Sequence, residues 1–263
     1  MSQIVVDGVT KTFGETVALN DVSFEVPEGE FVIILGVSGS GKSTLLRTMC
    51  GLTSPTEGEI IIGDEPVDEP RPEIAMIFQQ HNIIGDMSAY SNALSGGVHR
   101  SGFLSSVLQL QSKDEKYRAL EALETVGLLD EAKKKARRMS GGQQQRVGIA
   151  RALVQRPEVL LADEPVASLD PGSAQDVMGY LRTASEERGL TTFCSLHQVN
   201  IARKFGHRFV GLNAGEKVFD GYRDELTIDA IDEIYGDIET EGMFVGADGD
   251  SEQSGGEEEE ART

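Results

Sequence analysis

The segment VSFEV (Val22–Val26) alternates apolar and polar positions, the period of a strand with one face buried. IVV precedes it across a KTFGET turn, so antiparallel strands are predicted to open the chain. FVIIL (Phe31–Leu35) is apolar without a break and predicts a strand covered on both faces. A Gly-rich stretch at 36–41 follows, then the helical pattern KSTLLRTMCG, which Gly51 is suited to stop. GEIIIGD and EIAMIF predict further strands. Residues 83–138 change character: no strand pattern is visible, and KYRALEALETVGL spaces Tyr117, Leu120 and Leu123 along one helical face before Gly127. VLLAD and TTFCSL then read as buried strands separated by the helix SAQDVMGYLRTASEERG. Strands alternating with long helices predict an α/β fold with a mostly parallel sheet, interrupted by a helical insert. There is no internal repeat. The domain is expected to span 1–245, with the insert at about 83–155 and an acidic, disordered tail at 246–263 that carries no large apolar residue.

Composition narrows the class. No run approaches the ~20 apolar residues of a membrane helix, and MSQIVVDG lacks the charged and apolar regions of a secretory signal. Any service to a membrane is therefore expected to pass through partners. Cys50 and Cys194 stand alone, without metal or disulfide spacing, and read as small buried residues in a reducing compartment. The net charge of −20 excludes broad nucleic-acid contact, which needs a basic footprint. Seven tail carboxylates against Arg262 hold −6 of it, so the body keeps −14, an acidity suggesting a salt-loving host.

GVSGSGKST fits G-x-x-x-x-G-K-[ST] and sits between a buried strand and a helix. Glycines here let successive backbone N–H groups curl around phosphates, and the helix N-terminus adds its dipole. Gly36, Val37, Ser38, Gly39, Ser40, Gly41, Lys42, Ser43 and Thr44 are the candidate nucleotide-binding residues. Lys42 supplies a point charge to the β/γ-phosphates, and the Ser43 hydroxyl is a ligand for Mg²⁺. The bland alternative is a Gly-rich turn. EVLLADEP delivers Asp163 and Glu164 to a strand end, where a doubly wound sheet binds ligand. Asp163 is the candidate to hold the metal through water, and Glu164 to orient or deprotonate the attacking water. Two carboxylates capping a turn before Pro165 would be the structural alternative.

The order of the motifs is the phosphate loop, FQQ with Gln79, MSGGQQQR, LLADEP, SLD (Ser168–Asp170) and SLHQV with His197. This resembles the ATP-binding subunit of ABC transporters over essentially the whole chain except the tail. The resemblance implies a RecA-like P-loop NTPase core, an antiparallel β subdomain and an inserted α-helical subdomain. It also implies that Gln79 touches Mg²⁺ and the attacking water. Ser140, Gly141, Gly142 and Gln143 would bind the γ-phosphate of ATP held by a second copy. Asp170 would cross the dimer seam, and His197 would hydrogen-bond the γ-phosphate beside Glu164. Phe13 matches the aromatic that stacks on adenine, often Tyr in the family; a hairpin core residue is the alternative. His81, His99 and His207 read as structural.

A second segment, LSGGVHRSGF (from Leu94), mimics MSGGQQQR but lies inside the insert and lacks the Gln, so it is expected to be a loop. MSGGQQQRVGIARALVQ is expected to start a helix with Val147, Ala150 and Val154 on one face. Met139, where Leu is usual, is a volume-conserving departure. DEPVASLDP, LHQVNIA, VFDG and IDEIYG resemble the ATPases of phosphonate importers, which also handle related phosphorus oxyanions. That implies a homodimer, two transmembrane permease subunits, an extracytoplasmic solute-binding protein, and residence on the cytoplasmic side of the cell membrane. An amino-acid or phosphate importer is the nearest alternative. A soluble ABC protein acting on ribosomes or DNA usually carries paired ATPase domains or basic surfaces, and a P-loop kinase has no use for SGGQ or SLD.

Overall fold

The apolar run Phe31–Leu35 becomes the strand about which both cores are laid down. In a computed structural model, which describes residues 3–79, 82–100 and 112–236, the described strands are β1 (Ile4–Phe13), β2 (Thr16–Val26), β3 (Phe31–Leu35), β4 (Glu57–Ile62), β5 (Glu65–Pro66), β6 (Ile74–Ile77), β7 (Val159–Asp163), β8 (Thr191–Leu196), β9 (Arg208–Asn213) and β10 (Glu216–Tyr222). The described helices are α1 (Lys42–Met49), α2 (Ala89–Leu94), α3 (Lys113–Thr125), α4 (Gly141–Val154), α5 (Pro171–Arg188), α6 (Val199–Phe205) and α7 (Ile228–Tyr235). One sheet has the order β10-β9-β3-β8-β7-β6, parallel except for β10; the other, β2-β1-β4-β5, is antiparallel. The period of two in β3 sends Phe31, Ile33 and Leu35 into a core shared with the helical insert. Val32 and Ile34 enter a second core with α1 and the antiparallel sheet. Fully burying each such side chain contributes about 1.5–3 kcal/mol, which fixes β3, and the loop after it, between two packed layers.

Local signals start the helices. Ser112 and Glu115 form a capping box for α3, and Asp170 caps α5 with Pro171 at its first turn. Cys50 and Cys194 are buried free thiols, and burial pushes both thiols up from their ordinary values. In α4 the expected face of Val147, Ala150 and Val154 is fully buried. In α3 the expected face holds for Leu123, which is fully buried, and fails for the other two residues. Tyr117 and Leu120 are 75% and 38% exposed, and the buried stripe is Ala119, Ala122 and Leu123. Small residues beside Leu123 let this helix lie close to its neighbours, while Tyr117 and Leu120 point outward. His207 is exposed and stands edge-on to Tyr222 at 5.3 Å, a surface ring pair rather than a core residue. His81, the side chain of His99 and the tail at 246–263 lie outside the described residues.

The second SGG segment is also corrected. It is a 3-10 turn (Ser95–Arg100) continuing α2, not a loop. Ser95 Oγ donates to the Asn92 carbonyl at 2.6 Å. A Cβ on Gly96 would lie 2.0 Å from the Arg151 carbonyl oxygen in α4, so the glycine serves close helix packing. Gly96→Ala is expected to cost about 1–3 kcal/mol in urea unfolding of the isolated protein; an unchanged midpoint would remove this account of Gly96.

The helix α4 ties insert to core. Gln155, at its end, donates from Nε2 to the carbonyls of Pro72 and Ile74 at 3.0 and 3.1 Å. Arg146 donates to the Val126 carbonyl and lies 5.0 Å over the Tyr180 ring of α5. A cavity of about 550 Å³ opens beside this junction, walled by Leu52, Met76 and Phe78 from the core side and by Ser95, Gly96 and Arg151 from the insert. No helix among the described residues is long and apolar enough to cross a membrane.

Candidate functional site

Three strands of the parallel sheet, β3, β7 and β8, end at the same carboxyl edge because they pair in register: Leu35 with Leu196, Asp163 with Ser195. Each end delivers polar groups there, as expected of a sheet with one ligand-binding edge. After β3 the chain turns through residues 36–41 into α1. Gly41 has φ 104, and a Cβ there would lie 2.6 Å from the Ala18 carbonyl oxygen, so only glycine fits the turn. Gly39 also has positive φ but faces open space. Ser38 and Gly39 are exposed at the tip, Val37 is half-buried against the core, and Thr44 lies in the first turn of α1. Ser40 is buried, and its hydroxyl has no hydrogen-bond partner among the described residues.

Lys42 is only 4% exposed. Its amine donates to the carbonyls of Gly36 at 2.7 Å and Val37 at 2.9 Å, bridging the base of the loop. Burial pulls its pKa below the ordinary 10.5, while Glu164 and Asp163 act in the opposite sense. Ser43 Oγ donates to Asp163 Oδ1 at 2.8 Å. Asp163, 3% exposed, also accepts from Ser195 Oγ at 3.0 Å.

Glu164 has φ 44, a left-handed conformation that costs a non-glycine residue energy. Its backbone N–H donates to Ser195 Oγ at 2.8 Å. Three groups ring its carboxylate: Lys42 Nζ at 3.8 Å, His197 Nδ1 at 3.8 Å and Gln79 Nε2 at 3.5 Å. The Glu164 side chain is 20% exposed and that of His197 44%, so the ring stays open to solvent. A carboxylate held so, with a lysine, an imidazole and an amide about it, is fitted to orient water against a phosphate.

Ser43 and Asp163 fit a magnesium ion. They are hard oxygen donors in contact, and no group of three or more His, Cys, Asp or Glu side chains among the described residues makes an all-protein cage. That suits a cation that keeps waters and phosphate oxygens as its remaining ligands.

The Ser140–Gln143 set is built differently. Ser140 is the N-cap of α4; its Oγ accepts from Gln143 N at 3.3 Å, and Gln143 Oε1 accepts from Ser140 N at 3.1 Å. The letters S-G-G-Q are thus themselves a capping box. A Cβ on Gly142 would lie 3.1 Å from Ser173 Cβ, and one on Gly141 3.2 Å from Leu169 Cδ2, so the cap rests on the start of α5. There Asp170 Oδ1 accepts from Ser173 N, and the Ser173 hydrogen bonds hold its carboxyl below the usual value. Two helix N-termini, capped by Ser140 and Asp170, therefore present their dipoles side by side. Phe13 is 53% exposed at the end of β1, with Lys11 Nζ 5.0 Å from its ring centre. The structure brings together Lys42, Ser43, Gln79, Asp163, Glu164 and His197, and sets Ser140, Gly141, Gly142, Gln143 and Asp170 on a second surface.

Two residues make contacts that the motifs containing them, SLHQV and IDEIYG, do not announce. Ser195 is a buried hydroxyl at the end of the mostly apolar TTFCSL, two positions before His197. Tyr235, the last residue of α7, donates from its hydroxyl to the His197 carbonyl at 3.2 Å, and burial raises its pKa. The only signal for either was a polar atom in an apolar setting.

The sequence pattern of the family described as "ABC transporter" matches residues 19–167. Phosphonates import ATP-binding protein PhnC of Halobacterium salinarum is 58% identical over 252 residues, covering 96% of this chain and 90% of that protein. The protein of the same name from Thiobacillus denitrificans is 46% identical over 241 residues, covering 89% and 93%. Among solved structures, a dimeric post-hydrolysis state of the ATP-binding cassette MJ0796 bound to ADP and Pi superposes with a TM-score of 0.71. It has 35% identity and coverage of 84% of this chain and 98% of that one.

Proposed function

The chain belongs to the ABC transporter family, and from that premise we propose that it is the ATP-hydrolysing subunit of a phosphonate importer. The observation that carries hydrolysis is the carboxylate of Glu164, ringed by Lys42, His197 and Gln79 at the mouth of the phosphate loop. The names of the relatives at 58% and 46% identity support phosphonates, or related phosphorus oxyanions, as the cargo.

Residues 36–44 cup the triphosphate through backbone N–H groups, and Lys42 exchanges its loop carbonyls for β/γ-phosphate oxygens. Mg²⁺, when bound, neutralises charge developing on the phosphate oxygens. Ser43 and Gln79 would hold it directly in this reading, and Asp163 would hold it through a water. Glu164 receives the water's proton, and His197 holds the γ-phosphate in line. Phe13 offers its ring face to adenine.

Two copies close on two ATP molecules, and the cap at Ser140, Gly141, Gly142 and Gln143 meets the partner's γ-phosphate while Asp170 lines the seam. The dimeric solved relative with ADP and Pi supports this sandwich. The cavity between core and insert receives a short helix of a permease subunit. The protein is therefore peripheral on the cytoplasmic side of the membrane, in a complex with two permeases and an extracytoplasmic solute-binding protein. The domain is read as 1–245, with the tail at 246–263 outside it.

Two experiments test this. Ser140→Ala is expected to lower ATPase activity of the purified protein by about a hundredfold or more, while Ser95→Ala stays within threefold; reversed effects would assign the two SGG segments wrongly. Cells lacking the chain are expected to lose growth on an alkylphosphonate as sole phosphorus source and to keep growth on phosphate. Loss on phosphate instead would favour the phosphate-importer alternative.

A further inference from the structure

We propose that Ser195 is a positioning residue for ATP hydrolysis, the one side chain that sets the Asp163 carboxylate and the Glu164 backbone relative to each other. The proposal rests on the ATPase reading above and adds a residue to it.

The geometry is specific. Ser195 is fully buried and lies directly beside Asp163 in the register of β8 on β7. Its oxygen accepts from the Glu164 N–H at 2.8 Å, and its proton goes to Asp163 Oδ1 at 3.0 Å. One hydroxyl therefore bridges the Asp163 side-chain carboxylate and the Glu164 backbone N–H. That peptide leads into a strained residue: Glu164 sits at φ 44, where a side chain is disfavoured unless its surroundings enforce it. Removing the hydroxyl leaves the Glu164 N–H without its acceptor and Asp163 Oδ1 with only the Ser43 donor. The Glu164 backbone is then free to relax toward ordinary φ, which swings the carboxylate away from Lys42, Gln79 and His197. The two hydrogen bonds divide the effects: the bond to Asp163 bears on the metal, and the bond to Glu164 N bears on the attacking water.

The neighbours of Ser195 do not offer a substitute. Cys194 is a buried thiol on the other face of the strand, in the core shared with the insert. Leu196 is apolar. Thr192 is committed to Ser185 at 2.8 Å.

The test compares Ser195→Ala, Ser195→Cys and Ser195→Thr in the purified protein. Three kinds of measurement are made: steady-state kinetics giving kcat and KM for ATP, binding of a fluorescent ATP analogue with Mg²⁺ and with EDTA, and thermal melting. Ser195→Ala and Ser195→Cys are expected to lower kcat by about tenfold to a hundredfold with KM within threefold. They are also expected to lose most of the tightening of nucleotide binding that Mg²⁺ gives the unaltered protein, with the melting temperature lowered by about 10 °C at most. Ser195→Thr, which keeps the hydroxyl, is expected to recover most of both. Ala and Cys variants that match the unaltered protein in kcat and in Mg²⁺ response would overturn the proposal. So would equal losses in all three variants accompanied by lowered melting temperatures, which would make Ser195 a packing residue. A failure of the unaltered protein to hydrolyse ATP would instead strike the ATPase reading, a distinct result.

Discussion

Glu164→Gln is expected to bind ATP, close into a stable dimer and stop. The amide is nearly isosteric, so the left-handed backbone at φ 44 and the contact with Gln79 survive. What is lost is the basic oxygen, and general-base catalysis contributes about 10²–10⁴ in rate. Removing the negative charge also takes repulsion away from the incoming triphosphate, so the ATP-bound state gains while its exit is blocked. Light scattering should find a dimer that persists in ATP and disperses in ADP. A Gln variant that remains monomeric in saturating ATP and Mg²⁺ would defeat the sandwich.

Lys42→Ala is expected to fail one step earlier, at binding. The amine already gives up water for two loop carbonyls, and charge-assisted bonds to phosphate contribute about 1.5–3 kcal/mol each. Losing two of them predicts an ATP Kd raised by about a hundredfold or more. A pH signature follows from the same burial. Lys42 gives up its proton at a pH below 10.5 in the free protein. Below that depressed pKa the amine is charged before and after binding, and affinity is flat with pH. Above it the amine must first take up a proton, so ATP affinity falls as pH rises, and it does so earlier than an ordinary lysine would dictate. Titrating Kd against pH in the unaltered protein and in Lys42→Ala checks this. A slope that persists without Lys42 belongs to another group.

The parts of this site visible in the sequence are those whose chemistry demands a fixed spacing. A loop that wraps phosphate needs glycines at set intervals, and an Asp–Glu pair after VLLA needs the strand that carries it. Packing leaves weaker marks. The spacing of Tyr117, Leu120 and Leu123 marks one face of α3, but the helix packs through Leu123 with Ala119 and Ala122, whose value is their smallness. Gly96 lies in a segment whose letters only mimic the signature, and its role as a gap for the Arg151 carbonyl is visible only in the packing. The β9–β10 hairpin went unread because its turn uses Ala214 at φ 47 before Gly215 at φ 86, where Asn or Asp would have announced it. Ser195 opens the SLHQV segment, but there only His197 is assigned a role, since a hydroxyl facing a neighbouring strand matters only once the register is known.

One consequence follows from α4. Its first turn carries the cap at Ser140, and its last residues, with Arg151 and Gln155, line the cavity between core and insert. Fourteen residues separate the two jobs, about 21 Å of rigid rod at 1.5 Å per residue. A rigid rod moves as one body, so a displacement at its cavity end is carried to the Ser140 cap rather than absorbed along the way. Inserting one alanine mid-rod would turn one end by about 100° relative to the other, leaving an engine whose shaft no longer meets its wheel.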